Sequence, residues 1–363
     1  MFKIKKQIRL LYITSVLGNL SITGAWVAIL AARGFSLWQI GLAETVFHAT
    51  SLIFEIPSGI LADVYGRKKM LLVCQIMAMI ANTIMIFSNG IGMVCLSFVF
   101  QALSYNFSSG SRDALAYDSL KSVEQEKEYE KYASNQMIIY RVGTAVSTLF
   151  AGVALLMGYK MAYLISALTH MVTFAVTCAL TEVGTRKDTH IGGRMVKAWV
   201  DHFVGSLSFL IRNKKAAKFM FANSFVGAGD VLLLFFLQAK LSSAGLSDGS
   251  LGIALFLMEI GGIAGSKLIL KAKKVPYRRI YLSCTAVVLL GIGLEHTGII
   301  ACMVLGGFLS AMADDALQIR TDARLQEMFP SSQRATLISL SSFTFSVIMI
   351  VLSPLAGYFF SIW

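Results

Sequence analysis

The chain has 363 residues, of which 56% are hydrophobic and 14% charged, with a mean hydropathy of +0.69. Its length would suit two water-soluble domains, but that composition cannot cover a soluble surface and describes a polytopic membrane protein. The net charge of +12 raises nucleic acid as a partner, yet of the 32 Lys and Arg only Arg33, Lys160 and Lys240 fall in loops assigned to the outer side. The charge is therefore a topology signal, and nucleic acid is excluded.

In chain order, six apolar runs at residues 8–32, 37–61, 70–87, 91–116, 137–157 and 161–180 are each long enough to cross a bilayer. Lys3, Lys5, Lys6 and Arg9 place the N-terminus on the cytoplasmic side, and no cleavable signal peptide is expected because the first run is long and followed at once by others. A charged segment, 182–215, comes next. Within it Val196, Trp199, Val200, Phe203, Val204, Leu207, Leu210 and Ile211 recur at helical spacing opposite Lys197, Asp201, Ser208 and Arg212. This is either an amphipathic helix on the inner membrane surface or the cytoplasmic start of an extended seventh span. Five further runs follow, at 217–239, 251–270, 280–294, 299–316 and 335–360. The domains expected are a bundle over 1–181, a linker over 182–215 and a second bundle over 216–363.

Cys74, Cys95, Cys178, Cys284 and Cys302 all fall inside these runs without CxxC spacing, and the His residues are scattered, so neither a metal site nor a disulfide framework is expected. Gly261-Gly-Ile-Ala-Gly265-Ser-Lys267 superficially resembles a phosphate loop, but its spacing is wrong and no soluble strand precedes it; small-xxx-small helix packing is the expected use. No cofactor and no catalytic constellation is expected, and the chain is read as a non-enzyme.

Between the second and third runs stands Gly59-Ile-Leu-Ala-Asp63-Val-Tyr-Gly66-Arg67-Lys68-Lys69, a basic turn that cannot sit in hydrocarbon. The pattern G-x-L-A-D-x-x-G-R-K resembles the signature loop of the major facilitator superfamily of secondary transporters, and the preceding Glu55-Ile-Pro57-Ser-Gly is similar to its bacterial drug-exporter-like members. A second-half counterpart around Lys271 to Arg279 keeps the charge and loses the Asp and Gly, and Asp113 to Leu120 pairs with Asp315 to Leu325 as a weak internal repeat. The resemblance implies an all-α fold of two pseudo-symmetric six-helix bundles, with the last helix of the second half absent from the apolar pattern. It also implies that Asp63 lies against the start of span eleven, near residues 334–337, and that Arg67 pairs with Asp118 at the end of span four. Such contacts are worth about 1–3 kcal/mol together and form a cytoplasmic latch, with Gly66 supplying the tight turn; a purely topogenic loop is the alternative.

Charges within spans carry the next signal, since each is costly unless paired or wetted. Asp230 and Glu259 are the deepest, whereas Glu44 is expected nearer the outer surface and solvated. Asn223, Gly227 and Asp230 share a face. Similar stripes run through Ser15, Asn19, Thr23 and Trp26 in span one, Tyr105, Ser108, Ser109 and Arg112 in span four, and Ser310 and Asp314 in span ten. The resemblance implies that spans one, four, seven and ten line the cavity. Single hydroxyls more often bond their own helix. Asp230, Glu259, Asn19, Asn223, Tyr105 and Asp314 are thus the candidate substrate and proton sites, and Asp63, Gly66, Arg67 and Asp118 the gating residues.

Two departures bear on antiport: Gln101 stands where the span-four Arg of a proton antiporter is expected, and span five lacks the Gly-Pro pair. Arg141 is grouped with Asp113 or Asp118 at the cytoplasmic end. The expected activity is alternating-access secondary transport, with efflux of a hydrophobic or cationic small molecule coupled to protons. The alternatives are a selective metabolite permease and a transport-inactive scaffold. The expected setting is a monomer in the cell membrane, with the lipid bilayer, the small-molecule substrate and protons as its partners.

Overall fold

The computed structural model describes residues 3–183, 192–272, 274–328 and 334–362. The helices are α1 (Ile4–Asn19), α2 (Trp26–Ala32), α3 (Leu37–Tyr65), α4 (Arg67–Phe87), α5 (Ile91–Ser108), α6 (Ser111–Lys121), α7 (Tyr129–Leu149) and α8 (Ala151–Met157), then α9 (Tyr159–Cys178), α10 (Gly192–Arg212), α11 (Lys214–Ser243), α12 (Asp248–Lys271), α13 (Tyr277–Glu295), α14 (Ile300–Met328) and α15 (Arg334–Ile362). Among the described residues, nine stretches are long and apolar enough to cross a membrane, with α5 and α6 counted as one, and α7 with α8 makes a tenth bent by 45°. The all-α polytopic reading holds.

Three expected spans are not single rods. The first stops at Asn19 and restarts at Trp26, leaving pieces of 16 and 7 residues, each too short to cross alone. Residues 20–25 are apolar or small, so hydropathy runs straight through the break. Side chains satisfy the unwound backbone: Ser147 Oγ accepts from the Ser21 N–H at 2.9 Å and donates to the Asn19 carbonyl at 3.0 Å. Thr23 Oγ1 meets Ser166 Oγ at 3.3 Å. Irregular backbone at membrane depth persists only with such partners. The single-helix stripe expected from Ser15 through Trp26 therefore does not exist. Span four breaks at Ser109 and Gly110, where Gly110 has φ +73°, a conformation open to glycine at no steric cost. Span five bends at Phe150.

The helices group into two compact units. One comprises Met1–Gly24, Val46–Ser147 and Met157–His202; the other comprises Ala25–Thr45, Thr148–Leu156 and Phe203–Trp363. In the first, α4 packs on α5, α6 and α9, and α1 on α6 and α9. Its core joins Leu11, Leu71, Leu115, Ala116, Tyr132 and Leu180. In the second, α14 packs on α11, α12 and α13, while α11 also meets α2 and α15.

The α12–α14 contact is backbone to backbone. A methyl group at Gly261 or Gly265 would collide with the carbonyl oxygen of Phe308 or Met312, so this glycine run is a packing motif, as the spacing implies. In the same unit Thr45 Oγ1 donates to the Ile350 carbonyl at 3.1 Å, fixing the start of α3 against α15. The expected solvated position of Glu44 is corrected: it is 8% exposed, on a turn of α3 where Ile40 and Ala43 are also buried.

Candidate functional site

In the first unit, polar residues gather at one end around the signature turn. Gly66 has φ +102°, and α4 begins at the next residue, so the Arg67 and Lys68 N–H groups belong to its first turn and have no partner within the helix. The Glu182 carboxylate takes both, with Oε1 on Arg67 N–H at 3.0 Å and Oε2 on Lys68 N–H at 3.0 Å. It occupies the space where a Cβ at residue 66 would go, so Gly66 serves both the left-handed turn and the close approach of the anion.

The Arg67 guanidinium donates through Nη1 to Asp118 Oδ2 and, at 3.1 Å, to the Ala114 carbonyl, both on α6. Its Nη2 lies 4.0 Å from Asp63 Oδ1, one turn back on α3. Lys68 Nζ donates to the Cys178 carbonyl at the end of α9 at 2.8 Å. Buried Gln7 extends the network: its Nε2 donates to the Thr181 carbonyl at 2.8 Å and to Ser119 Oγ at 3.3 Å, and its Oε1 accepts from the Thr181 N–H at 3.0 Å. The ends of α1, α3, α4, α6 and α9 are thus tied by charge-assisted and amide hydrogen bonds, each worth about 0.5–3 kcal/mol net.

In the second unit, acids from three helices converge. Asp230 on α11 is 5% exposed, and its charge environment is set by Asp314 and Asp315 on α14 and Glu259 on α12. Ser310, one turn before Asp314, is 0% exposed and sits beside Asp230. Ser310 is the hydrogen-bonding neighbour of Asp230, whereas Asn223 Oδ1 is buried without a hydrogen-bond partner among the described residues. Asp314 Oδ1 lies 3.0 Å from where a Cβ at Gly227 would stand, and Asp315 Oδ2 lies 2.6 Å from the corresponding point at Gly262. Glycines on α11 and α12 thus make the room these carboxylates occupy. Ser266 Oγ donates to Asp315 Oδ2 at 3.4 Å. Carboxylates grouped away from water are costly to ionise together unless a positive charge or a proton joins them.

The sequence profile of the Major Facilitator Superfamily matches residues 10–319. The chain belongs to the major facilitator superfamily. A relative described as an uncharacterised MFS-type transporter, YxaM of Bacillus subtilis (strain 168), is 24% identical over 324 residues, covering 87% of this chain and 79% of that one. Among solved structures, the nucleoside transporter NupG superposes with a TM-score of 0.74 at 16% identity, over 98% of this chain and 91% of that one. The D-xylose-proton symporter does so with 0.69 at 10% identity, over 96% and 89%. These structural likenesses show the fold of the superfamily.

Of the expected site residues in this superfamily member, Asp230, Glu259, Asn223 and Asp314 come together in one unit. Asn19 does not present its side chain as a stripe residue: its Nδ2 donates back to the Ser15 carbonyl at 2.8 Å and Ser15 Oγ at 3.3 Å, closing the last turn of α1. Tyr105 is 59% exposed and lies against Phe47, with ring centroids 5.9 Å apart. The α5–α6 break puts Arg112 on a different helix, where Nη2 faces Gly18 on α1. The side chains of residues 334–337, expected against Asp63, lie outside the described residues.

Sequence reasoning missed Gln7, Ser119 and Glu182, and also Glu295. The last is 2% exposed at the end of α13, with Lys240 Nζ at 3.8 Å and His296 Nδ1 at 2.7 Å from its carboxylate oxygens. Glu182→Gln removes the charge that stabilises the start of α4, at a cost of about 0.5–2 kcal/mol. The expected outcome is a lower melting temperature in detergent with the helical content unchanged, read by differential scanning fluorimetry and circular dichroism; an unchanged melting temperature would refute the capping role.

Proposed function

We propose that this superfamily member is an alternating-access secondary transporter that exports a cationic or hydrophobic small molecule in exchange for protons. The observation that carries this reading is the grouping of buried Asp230 with Asp314, Asp315 and Glu259 from three helices of one unit, beside Ser310. An ionised carboxylate away from water is costly unless a cation or a proton joins it, so one pocket can hold either and thereby couple the two. The drug-exporter-like form of the segment before the signature loop supports the outward direction. Major-facilitator membership supports secondary transport over a scaffold role. The cytoplasmic N-terminus, the cell-membrane location, the monomeric state and the two-bundle division at residues 181 and 216 belong to the same proposal, resting on the distribution of Lys and Arg and on the resemblance.

Selective metabolite permeation is the second reading, favoured by the likeness to a nucleoside transporter. Purified protein in proteoliposomes tests both. A hydrophobic amine probe should move against its gradient when an inward-directed proton gradient is imposed, with counterflow of protons. Transport of a neutral nucleoside or sugar without proton movement would replace the first reading with the second. Orientation is checked in intact cells: a cysteine at Lys68 should be shielded from an impermeant thiol reagent and one at Ser247 labelled. Labelling at Lys68 from outside would invert the topology.

A further inference from the structure

The first unit holds an acid that neither the signature-turn network nor the pocket of the second unit uses. Glu55 lies inside α3, nearly three turns before its end at Tyr65. Phe47, Ser51 and Glu55 recur at i, i+4 and i+8 and so share one face of that helix. Ser51 fixes where the face points. Its Oγ donates to Asn106 Oδ1 at 2.8 Å and its carbonyl accepts from Asn106 Nδ2 at 2.8 Å, a closed pair that sets the register of α3 on α5. One turn before Ser51, Phe47 meets Tyr105, the neighbour of Asn106, with ring centroids 5.9 Å apart and the planes at 55°. One turn after Ser51, the Glu55 carboxylate acts on the Tyr105 hydroxyl, as does Tyr140 on α7.

These groups stand away from the helix ends. Tyr105 is at the middle of the 31-residue stretch Ile91–Lys121, and Tyr140 at the middle of α7. Both tyrosines are more than half exposed, at 59% and 51%, and Glu55 is half-buried. A carboxylate and two phenol hydroxyls turned to acyl chains at that depth would be costly, so this face belongs to a wetted or occupied space rather than to lipid. The rings add the chemistry of recognition: each draws a cation that approaches its face within about 6 Å of the ring centre, most strongly where water is excluded. One carboxylate and two phenols offer too few oxygens for a hard metal ion, which takes about six. They suit an ammonium that brings its own apolar groups.

We propose that Phe47, Tyr105, Tyr140 and Glu55 form a subsite on the first unit for the ammonium end of an organic cation, with the rings as its walls and the carboxylate balancing its charge. This rests on the reading of the cargo as cationic and adds which side chains of the first unit hold it.

The test uses the purified full chain in detergent, with no proton gradient, and tritiated para-azidobenzyl trimethylammonium, a quaternary aromatic cation with no proton to lose. Its neutral counterpart carries carbon in place of the charged nitrogen. Equilibrium binding of the cation should weaken by roughly tenfold in Glu55→Gln, and Glu55→Asp should restore part of it. Tyr105→Leu should cost roughly fivefold, and Tyr105→Phe, which keeps the ring, less than about twofold. The neutral counterpart should not distinguish Glu55→Gln from the unsubstituted chain. Irradiation of the unsubstituted chain reads the site without any variant: the label should fall on peptides from α3, α5 and α7. Undiminished cation binding in both Glu55→Gln and Tyr105→Leu, or label confined to other helices, overturns the subsite and leaves the cationic-cargo reading standing. Absence of saturable cation binding by the unsubstituted chain overturns both.

Discussion

Asp230→Asn is expected to abolish proton-driven transport in proteoliposomes while leaving the protein folded. The substitution keeps the shape of the side chain and removes the charge, so the helix contacts of α11 persist. The desolvation cost of the carboxylate disappears, and with it the reason for a proton or a cation to enter. A neutral amide in hydrocarbon is cheaper than an ion by a few kcal/mol, so thermal stability should hold or rise. Transport should fall by at least tenfold, and the dependence of probe binding on pH should flatten. Asp314→Asn, its partner on α14 in the same pocket, should weaken binding less, because Asp230 is the more buried of the two. Full pH-driven transport in both Asp230→Asn and Glu259→Gln would move coupling away from this pocket, toward Asp113, Asp118 and Arg141.

Arg67→Ala is expected to collapse transport through conformational balance rather than through cargo binding. The guanidinium bridges Asp118 and the Ala114 carbonyl on α6 and faces Asp63 on α3, so its loss severs the tie between those helices. A charge-assisted pair of this kind is worth about 1.5–3 kcal/mol when shielded. Both side chains here remain about a quarter exposed, 25% and 24%, which lowers the figure toward about 1–2 kcal/mol. That still shifts a two-state equilibrium by roughly five- to thirtyfold. Arg67→Lys should rescue only in part, because one ammonium can replace Nη1 on α6 but cannot also place a second nitrogen toward Asp63 as Nη2 does. The readout is the distance distribution between spin labels placed on α3 and α6 at the signature-turn end, together with flux. An unchanged distribution with normal flux would reduce the loop to a topology signal.

How much of this was legible in the residues depended on distance along the chain. The turn from Asp63 to Lys69 was readable because its chemistry is local: a glycine for the turn, and cations that cannot sit in hydrocarbon. Asp118, 51 residues from Arg67, came only from family resemblance. Glu182 was not readable at all, since a single carboxylate in a charged segment looks solvated, and only folding shows it on the first turn of α4. The acids of the second unit were found because charge in an apolar run is conspicuous. Asp315 was read only as part of a repeat, since nothing local announces that Gly262 makes its space. The breaks in spans one, four and five were hidden because hydropathy averages over a window, whereas a break depends on hydroxyls such as Ser147 arriving from another helix.

The contact between Glu182 and the start of α4 also orders events in time. The two ends lie 115 and 114 residues apart, and Glu182 follows α9, so it is made after α1 to α9. At synthesis rates of about 5–20 residues per second, the first turn of α4 waits roughly 6–23 s for its carboxylate. The polar end of the first unit therefore gains this contact only after α1 to α9 have been synthesised, and the nascent chain passes residue 182 before α11.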